Sequence, residues 1–300
     1  MFVRRAYLPV LSVAAIVTVA ALPRAQATQA NDRQPVTVTT KARALQPGEV
    51  VLFTVQANRD VASVRVRAFE KDFIGFPVKP RTWRVLVGID LDVAPNTYSA
   101  EVFASDDAVA TRVPLRVLPG HFRTRKLTVD EAFVNPPPEA LERIARETAE
   151  LNDLWAHSAT VKLWTGPFVR PVPDPANSAF GTRSILNGQP RSPHSGADFN
   201  SATGTPIKSP NSGRVVLAGD RYYTGNTVMV DHGLTLFSLF AHLSEIDVKV
   251  GDTLNAGDVV GKVGATGRVT GPHLHWSVRL NGTRVDPLSL LAILGAEKGH

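Results

Sequence analysis

The chain has 300 residues, of which 43% are hydrophobic and 20% are charged, with a formal net charge of +6 and no cysteine. This length and composition support one large buried core or two smaller ones, and they exclude a long disordered chain. The absence of cysteine excludes a disulfide scaffold and a thiolate metal site, so a bound metal ion would need His, Asp or Glu ligands.

The first 27 residues have the three parts of an export signal. Arg4 and Arg5 give the charged start, residues 6–22 form an apolar run, and residues 25–27 (Ala-Gln-Ala) supply a small-x-small cleavage site. The run is short for a bilayer span and contains Pro9, which favours a cleaved signal over a retained anchor. We therefore predict an exported protein of the periplasm or cell envelope, without a stable membrane span. The segment holds three arginines and no acid, so its removal leaves a net charge of +3, too small an excess to predict a nucleic-acid partner.

Residues 34–118 have the pattern of short β-strands separated by turns. In residues 64–68, apolar and charged side chains alternate, as they do in a half-buried strand. Four further segments are similar: residues 50–55, 83–91, 98–104 and 109–117. Strands at this spacing predict a small β-sandwich, immunoglobulin-like in type, and we expect a structural or positioning role for it.

Residues 119–160 are predicted to form a connector with one helix at 136–157. Asn135 is a candidate N-cap, and the three prolines that follow it suit a first helical turn. Apolar positions recur on one face for about three turns: Leu141, Ile144, Ala145, Thr148 and Leu151 or Trp155. We expect this face to pack against a neighbouring domain rather than to form a coiled coil.

Residues 163–292 return to strands and turns, and they contain three short segments with four of the eight histidines. The first segment carries His194 and Asp198, with Pro193 and Gly196 disfavouring a helix. On a strand, positions 194, 196 and 198 face one side, and Gly196 would leave room for an ion between its neighbours.

The second segment is an apolar run that ends at His242, and the third holds His273 and His275 on one face of a predicted strand. Catalytic zinc sites use three protein ligands, with imidazole nitrogen and carboxylate oxygen at about 2.0–2.2 Å. Each motif alone also arises by chance or as a core pair. Their joint presence in one β-rich region predicts a metal site built on strands.

The three motifs, in this order, resemble the signature of the lysostaphin/LytM-type zinc peptidoglycan metallopeptidases. The resemblance covers about residues 180–290, and it includes Gly-Ala-Thr-Gly-Arg at 264–268. It implies an antiparallel β catalytic domain with a groove over the metal, and one zinc ion per chain. The implied zinc ligands are His194, Asp198 and His275, and the implied catalytic residues are His242 and His273. All five positions match the family pattern.

The implied function is that of an exported zinc metalloendopeptidase acting on the peptide cross-links of bacterial peptidoglycan. The alternative is a catalytically silent, cell-wall-binding activator of a peptidoglycan amidase, and a carbohydrate-binding β protein would leave the clustered histidines unexplained. Arg183 and Asn187, upstream of His194, are candidate substrate-binding residues or part of a solvated loop. His232 lies at a predicted turn and is expected to be structural. Peptidoglycan is the expected partner, and a regulatory protein partner stays open.

Overall fold

A computed structural model describes residues 35–105, 108–128, 131–177 and 180–296. The export signal predicted for residues 1–27 lies outside these residues, and so does His300. The described residues form one compact unit that is mainly β, as the sequence predicts. None of its helices is both long enough and apolar enough to cross a bilayer.

The first eight strands form two four-stranded antiparallel sheets with a shared buried core. They are β1 (Val36–Ala42), β2 (Val50–Ala57), β3 (Val64–Ala68), β4 (Lys71–Ile74), β5 (Phe76–Lys79), β6 (Thr82–Gly88), β7 (Asn96–Ala104) and β8 (Val109–Val117). The strand orders are β1-β2-β6-β5 and β4-β3-β7-β8. The alternation predicted for residues 64–68 is confirmed, because Val64 and Val66 are buried while Arg67 is exposed. An immunoglobulin-like topology stays a prediction.

The connector contains one strand and two helices: β9 (Thr124–Leu127), α1 (Glu131–Val134) and α2 (Pro138–Ala156). The prediction that Asn135 caps the long helix is wrong. Its backbone N–H donates to the carbonyl of Glu131 at 2.8 Å, which ends α1, and α2 begins at Pro138 after Pro137. Consecutive prolines impose an extended φ/ψ on the residue before each of them, so the helix starts at the last proline of the run.

The apolar face predicted for the long helix is only partly correct. Leu151 and Trp155 pack against the large sheet described below, together with Leu154. Leu141, in the first half of α2, is 53% exposed, and a neighbouring residue on the helix makes polar contacts. There Arg143 bonds to Glu147 on the same helix at 2.6 Å and, across the surface, to Asp220 at 2.6 Å.

The rest of the chain forms a nine-stranded antiparallel sheet and, with β9, a small three-stranded sheet. Its elements are β10 (Arg183–Leu186), β11 (Gln189–Pro190), β12 (Gly196–Phe199), β13 (Pro206–Lys208), β14 (Gly213–Arg221), β15 (Gly225–Asp231), β16 (Leu236–Ile246), β17 (Thr253–Leu254), β18 (Val259–Val263), β19 (Leu274–Leu280), β20 (Thr283–Val285) and α3 (Pro287–Leu294). The main path of the large sheet is β12-β19-β16-β15-β14-β17. β9 pairs with β10 in parallel, a contact between segments more than 50 residues apart that local sequence does not predict.

The large sheet is covered on both faces. Residues of α2 cover one face over a small core that includes Met229 and Phe237. The other face belongs to the main core, which also contains the buried residues of the two N-terminal sheets. The sandwich and the large sheet therefore share one continuous hydrophobic core, and a division into separate domains stays a prediction.

Candidate metal centre

Three neighbouring strands bring the predicted site residues together. β19 lies between β12 and β16 and pairs with both. Asp198 on β12 is directly opposite His275 on β19, and Ala241 on β16 is opposite His275 from the other side. His242 follows Ala241, and His194 lies two residues before β12 begins. The large sheet thus collects residues that are as much as 81 positions apart in sequence.

The three predicted ligands form a compact triangle. His194 Nε2 lies 3.0 Å from His275 Nδ1 and 3.0 Å from Asp198 Oδ1, and His275 Nδ1 lies 2.9 Å from Asp198 Oδ1. Ligand atoms about 2.0–2.2 Å from a tetrahedral zinc ion are themselves about 3.3–3.6 Å apart. The two imidazole nitrogens and the carboxylate oxygen, now 2.9–3.0 Å apart, would need to move apart by only a few tenths of an ångström to bind such an ion. This is the group of possible metal ligands found among the described residues.

The sequence predicts that Gly196 leaves room for an ion, and this stays a prediction. The structure shows instead that a side chain at Gly196 would meet the ring of a proposed ligand. Its Cβ would lie 2.6 Å from Cε1 and 2.7 Å from Nε2 of His275, and 2.6 Å from the carbonyl oxygen of Trp276. Gly196 therefore makes room for the ring of a ligand, because β12 and β19 are paired at this level.

Two further histidines lie beside the triangle. The rings of His242 and His273 are 5.0 Å apart, and that of His242 is 6.0 Å from that of His275. His242 Nδ1–H donates to the carbonyl of Thr266 at 2.9 Å, and His273 Nδ1–H donates to the carbonyl of Gly271 at 2.9 Å. With its proton held on Nδ1, each neutral ring has Nε2 as its basic nitrogen.

The backbone of His242 shows why its position could not be read from the sequence. His242 has φ +68°, a value uncommon for a residue with a side chain, and it lies at an irregularity in the pairing of β16 with β15. Its N–H donates to the carbonyl of Thr224 at 2.8 Å. A bulge of this kind re-aims a side chain, and here it turns the ring toward the ligand cluster.

Burial and mutual contacts set the charge of the site. Burial alone would raise the pKa of Asp198, but its contacts with His194 and His275 outweigh this and hold that pKa far below its usual range. Burial lowers the pKa of His275, and it lowers the pKa of His242 to about 4. At neutral pH these shifts favour the ionised carboxylate of Asp198 and the neutral imidazole of His275, the forms in which these side chains bind metal ions.

The two candidate substrate residues lie on the hairpin that precedes His194. Arg183 begins β10 with an exposed side chain. Asn187 has φ +48° in the tight turn between β10 and β11, and its amide donates to Glu131 at 3.1 Å. Both Asn187 and Gly188 have positive φ, and asparagine followed by glycine is the pair that a tight hairpin turn of this kind favours. The role of Arg183 and Asn187 in substrate binding stays a prediction.

The remaining histidines of the described residues lie away from the cluster. His232 is fully buried, with Nδ1 2.8 Å from the carbonyl of Ser212 and Nε2 2.9 Å from the hydroxyl of Ser238. Burial lowers its pKa to about 4. These contacts agree with the structural role expected for it. His121 and His157 are exposed, also as expected.

Comparison with known proteins identifies the family. The model of peptidase family M23 matches residues 192–287, which contain the three predicted zinc ligands and the two predicted catalytic histidines. A crystal structure from Pseudomonas aeruginosa assigned to peptidase M23 is 35% identical, with a TM-score of 0.67, and the match covers 83% of this chain and 96% of that one. The chain belongs to peptidase family M23. The predicted resemblance is thereby confirmed.

The M23 region is also similar to that of larger proteins. Peptidoglycan DD-endopeptidase ShyA of Vibrio cholerae is 42% identical over 96 residues, and DD-carboxypeptidase/endopeptidase Mpg of Neisseria meningitidis is 40% identical over 97 residues. Each match covers 32% of this chain and 22% of the relative. The chain therefore spans about a fifth of the length of these relatives, within the M23 region.

Proposed function

We propose that this M23 protein is an exported zinc metalloendopeptidase that hydrolyses peptide cross-links of bacterial peptidoglycan in the periplasm or cell envelope. The observation that supports it is the combination of a His-Asp-His triangle with two further histidines, His242 and His273, whose Nδ1 atoms are held by backbone carbonyls. The choice of substrate is supported by the name of ShyA, a peptidoglycan DD-endopeptidase, and the endopeptidase reaction also by that of Mpg, a DD-carboxypeptidase/endopeptidase.

In this proposal one zinc ion per chain is held by His194, Asp198 and His275. When bound, zinc lowers the pKa of a water molecule to about 7 and polarises a carbonyl group. One of His242 and His273 accepts a proton on Nε2 from the attacking water, and the other, when it carries a proton on Nε2 as well as on Nδ1, donates a hydrogen bond to the oxygen that becomes negative. Their rings are 5.0 Å apart, so both can reach one scissile peptide group.

The alternative function, a catalytically silent activator of a peptidoglycan amidase, is less well supported. An activator needs neither a complete set of three ligands nor two additional histidines oriented by backbone carbonyls. The chain keeps all five of these side chains together. Peptide hydrolysis gives each of these five side chains a role, whereas activation of an amidase does not.

The test is digestion of purified peptidoglycan by the full-length protein loaded with zinc, followed by mass spectrometry of the products. We expect cross-linked peptides to be converted to uncross-linked ones, with loss of the activity in a chelator and recovery on adding zinc. Asp198→Ala is the inactive control. A wild-type protein that takes up no zinc, or that leaves cross-links intact when loaded, would overturn the proposal. Stimulation of an added amidase without cleavage would favour the alternative.

A further inference from the structure

Ser277 continues the alternation that carries two of the site histidines. It lies on β19 two residues after His275 and four after His273, so its side chain is on the same face of the strand. Its hydroxyl oxygen lies 2.7 Å from His275 Nε2. Ser277 is only 6% exposed, and its strand is paired on both sides, with Gly196 and Leu239 as its partners. The hydroxyl is therefore held in place by the sheet.

The ring of His275 is fixed at both of its edges. Its Nδ1 lies within 3.0 Å of the other two proposed ligands, and its Nε2 edge lies over Gly196, where a Cβ would be 2.7 Å away. The ring therefore lies close against the backbone of β12 at Gly196. Ser277 supplies the hydrogen-bonding partner at the end of the ring opposite the triangle.

A histidine that binds metal through Nδ1 carries its proton on Nε2. That proton needs an acceptor when the ring is buried, and the partner fixes both the tautomer and the orientation of the ring. A serine hydroxyl is both donor and acceptor, so Ser277 can also donate to Nε2 when no metal is bound and Nδ1 faces Asp198.

From these contacts we infer that Ser277 is a positioning residue of the metal centre, which holds His275 with Nδ1 directed at the ion. The inference rests on the metal site of the proposed function. It makes Ser277 a determinant of zinc affinity, although it does not itself bind zinc.

The chain contains a matched control. Ser238 on β16 is fully buried, and its hydroxyl lies 2.9 Å from Nε2 of His232, which is outside the metal cluster. Ser277→Ala and Ser238→Ala each remove the partner of a buried imidazole nitrogen, so both are expected to lower the thermal stability of the metal-free protein. Only Ser277→Ala is expected to weaken zinc binding.

The experiment is a competition for zinc between a chelator of known affinity and the full-length metal-free protein. We expect about 10- to 100-fold weaker binding for Ser277→Ala and wild-type binding for Ser238→Ala. A second pair, Ser277→Thr and Ser277→Val, fills equal volumes and differs in the hydroxyl, and we expect Thr to bind zinc more tightly than Val. This pair decides the question if Ser277→Ala does not fold.

The outcomes separate the two proposals. Wild-type affinity in Ser277→Ala, or equal affinity in the Thr and Val variants, would overturn the positioning role while the metal site stands. A loss in Ser238→Ala as large as that in Ser277→Ala would also overturn it, because the effect would then be a general loss of stability. A wild-type protein without zinc affinity would instead remove the proposed metal site.

Discussion

Gly196→Ala tests the geometry of the site with a single methyl group. The backbone of Gly196 is not in the left-handed region, so alanine is allowed there and the effect is steric. The new Cβ would lie 2.6 Å from Cε1 of His275 and 2.6 Å from the carbonyl oxygen of Trp276. Ordinary contacts of carbon atoms begin at about 3.5 Å, so a displacement of nearly 1 Å is needed.

Moving the ring of His275 relieves only the first of these contacts, and the second requires the paired strands β12 and β19 to separate locally. The ring can move only by losing its contact with Ser277 or by shifting against Asp198. Overpacking of this kind costs about 1–3 kcal/mol of folding stability. It also misplaces a ligand, and we expect zinc affinity to fall by at least about tenfold, as it does when the partners of a ligand are lost.

The assay is zinc competition together with thermal unfolding of the metal-free protein. Gly219→Ala is the matched control, because Gly219 lies in β14 of the same sheet and a Cβ there meets only Arg221 Nη1 at 3.9 Å. We expect the control to bind zinc as the wild type does. Unchanged zinc affinity in Gly196→Ala would refute the reasoning, since it would show that the ring of His275 can move without consequence.

Three further predictions concern the same molecule. Replacing any one of the three proposed zinc ligands by Ala should abolish zinc retention and cleavage together, as measured by metal analysis and peptidoglycan digestion; a variant that keeps its zinc is not missing a ligand. His242→Ala and His273→Ala should retain zinc but lose about 100- to 10,000-fold in cleavage rate, and loss of zinc in either would make that histidine a ligand. His232 has a native pKa of about 4 against about 6.5 when unfolded, so below pH 6.5 the unfolded chain binds a proton that the native protein does not. Stability should therefore fall by up to about 3 kcal/mol between pH 6.5 and pH 4, and this part of the loss should be absent from His232→Gln in urea titrations; parallel curves for the two proteins would contradict it.

The sequence predicts the parts of the site that depend on alternation along one strand. His273 and His275 face one side because they are two residues apart. His194 and Asp198 converge because their segment is extended, as expected where Pro193 and Gly196 disfavour a helix. The same alternation reaches Ser277, which the motif-based prediction left out because a serine is not a metal ligand. The two-residue spacing that places Ser277 on the same face as His275 was therefore already visible in the sequence.

Other features depend on contacts that no local pattern specifies. The orientation of His242 comes from a positive φ and a carbonyl 24 residues away, that of Thr266. The parallel pairing of β9 with β10 joins the connector to the hairpin before His194. The start of α2 was predicted too early because prolines fit both a first helical turn and the extended segment before it, and only the surrounding structure distinguishes these.

The sandwich and the metal-bearing sheet are joined closely enough that we expect neither to be independent. Glu49 of the sandwich is 2% exposed and is bonded to Arg43 and to Ser289 of α3. Arg43 also bonds to Asp286, the residue that caps α3, at 2.6 Å.

A fragment that starts at Leu163 would lose all of these partners at once. It would also expose two buried side chains. The ring of Trp164 packs edge-on against that of Phe76 in the sandwich, with the ring centres 5.2 Å apart, and Val285 lies against Gly88. We therefore expect this fragment to aggregate or to unfold without cooperativity even with zinc supplied, in contrast to the full-length chain. Light scattering and thermal unfolding monitored by circular dichroism measure both properties. A monomeric fragment that melts cooperatively near the temperature of the full-length protein would contradict the expectation, because the shared core would then be dispensable for the sheet that holds His275.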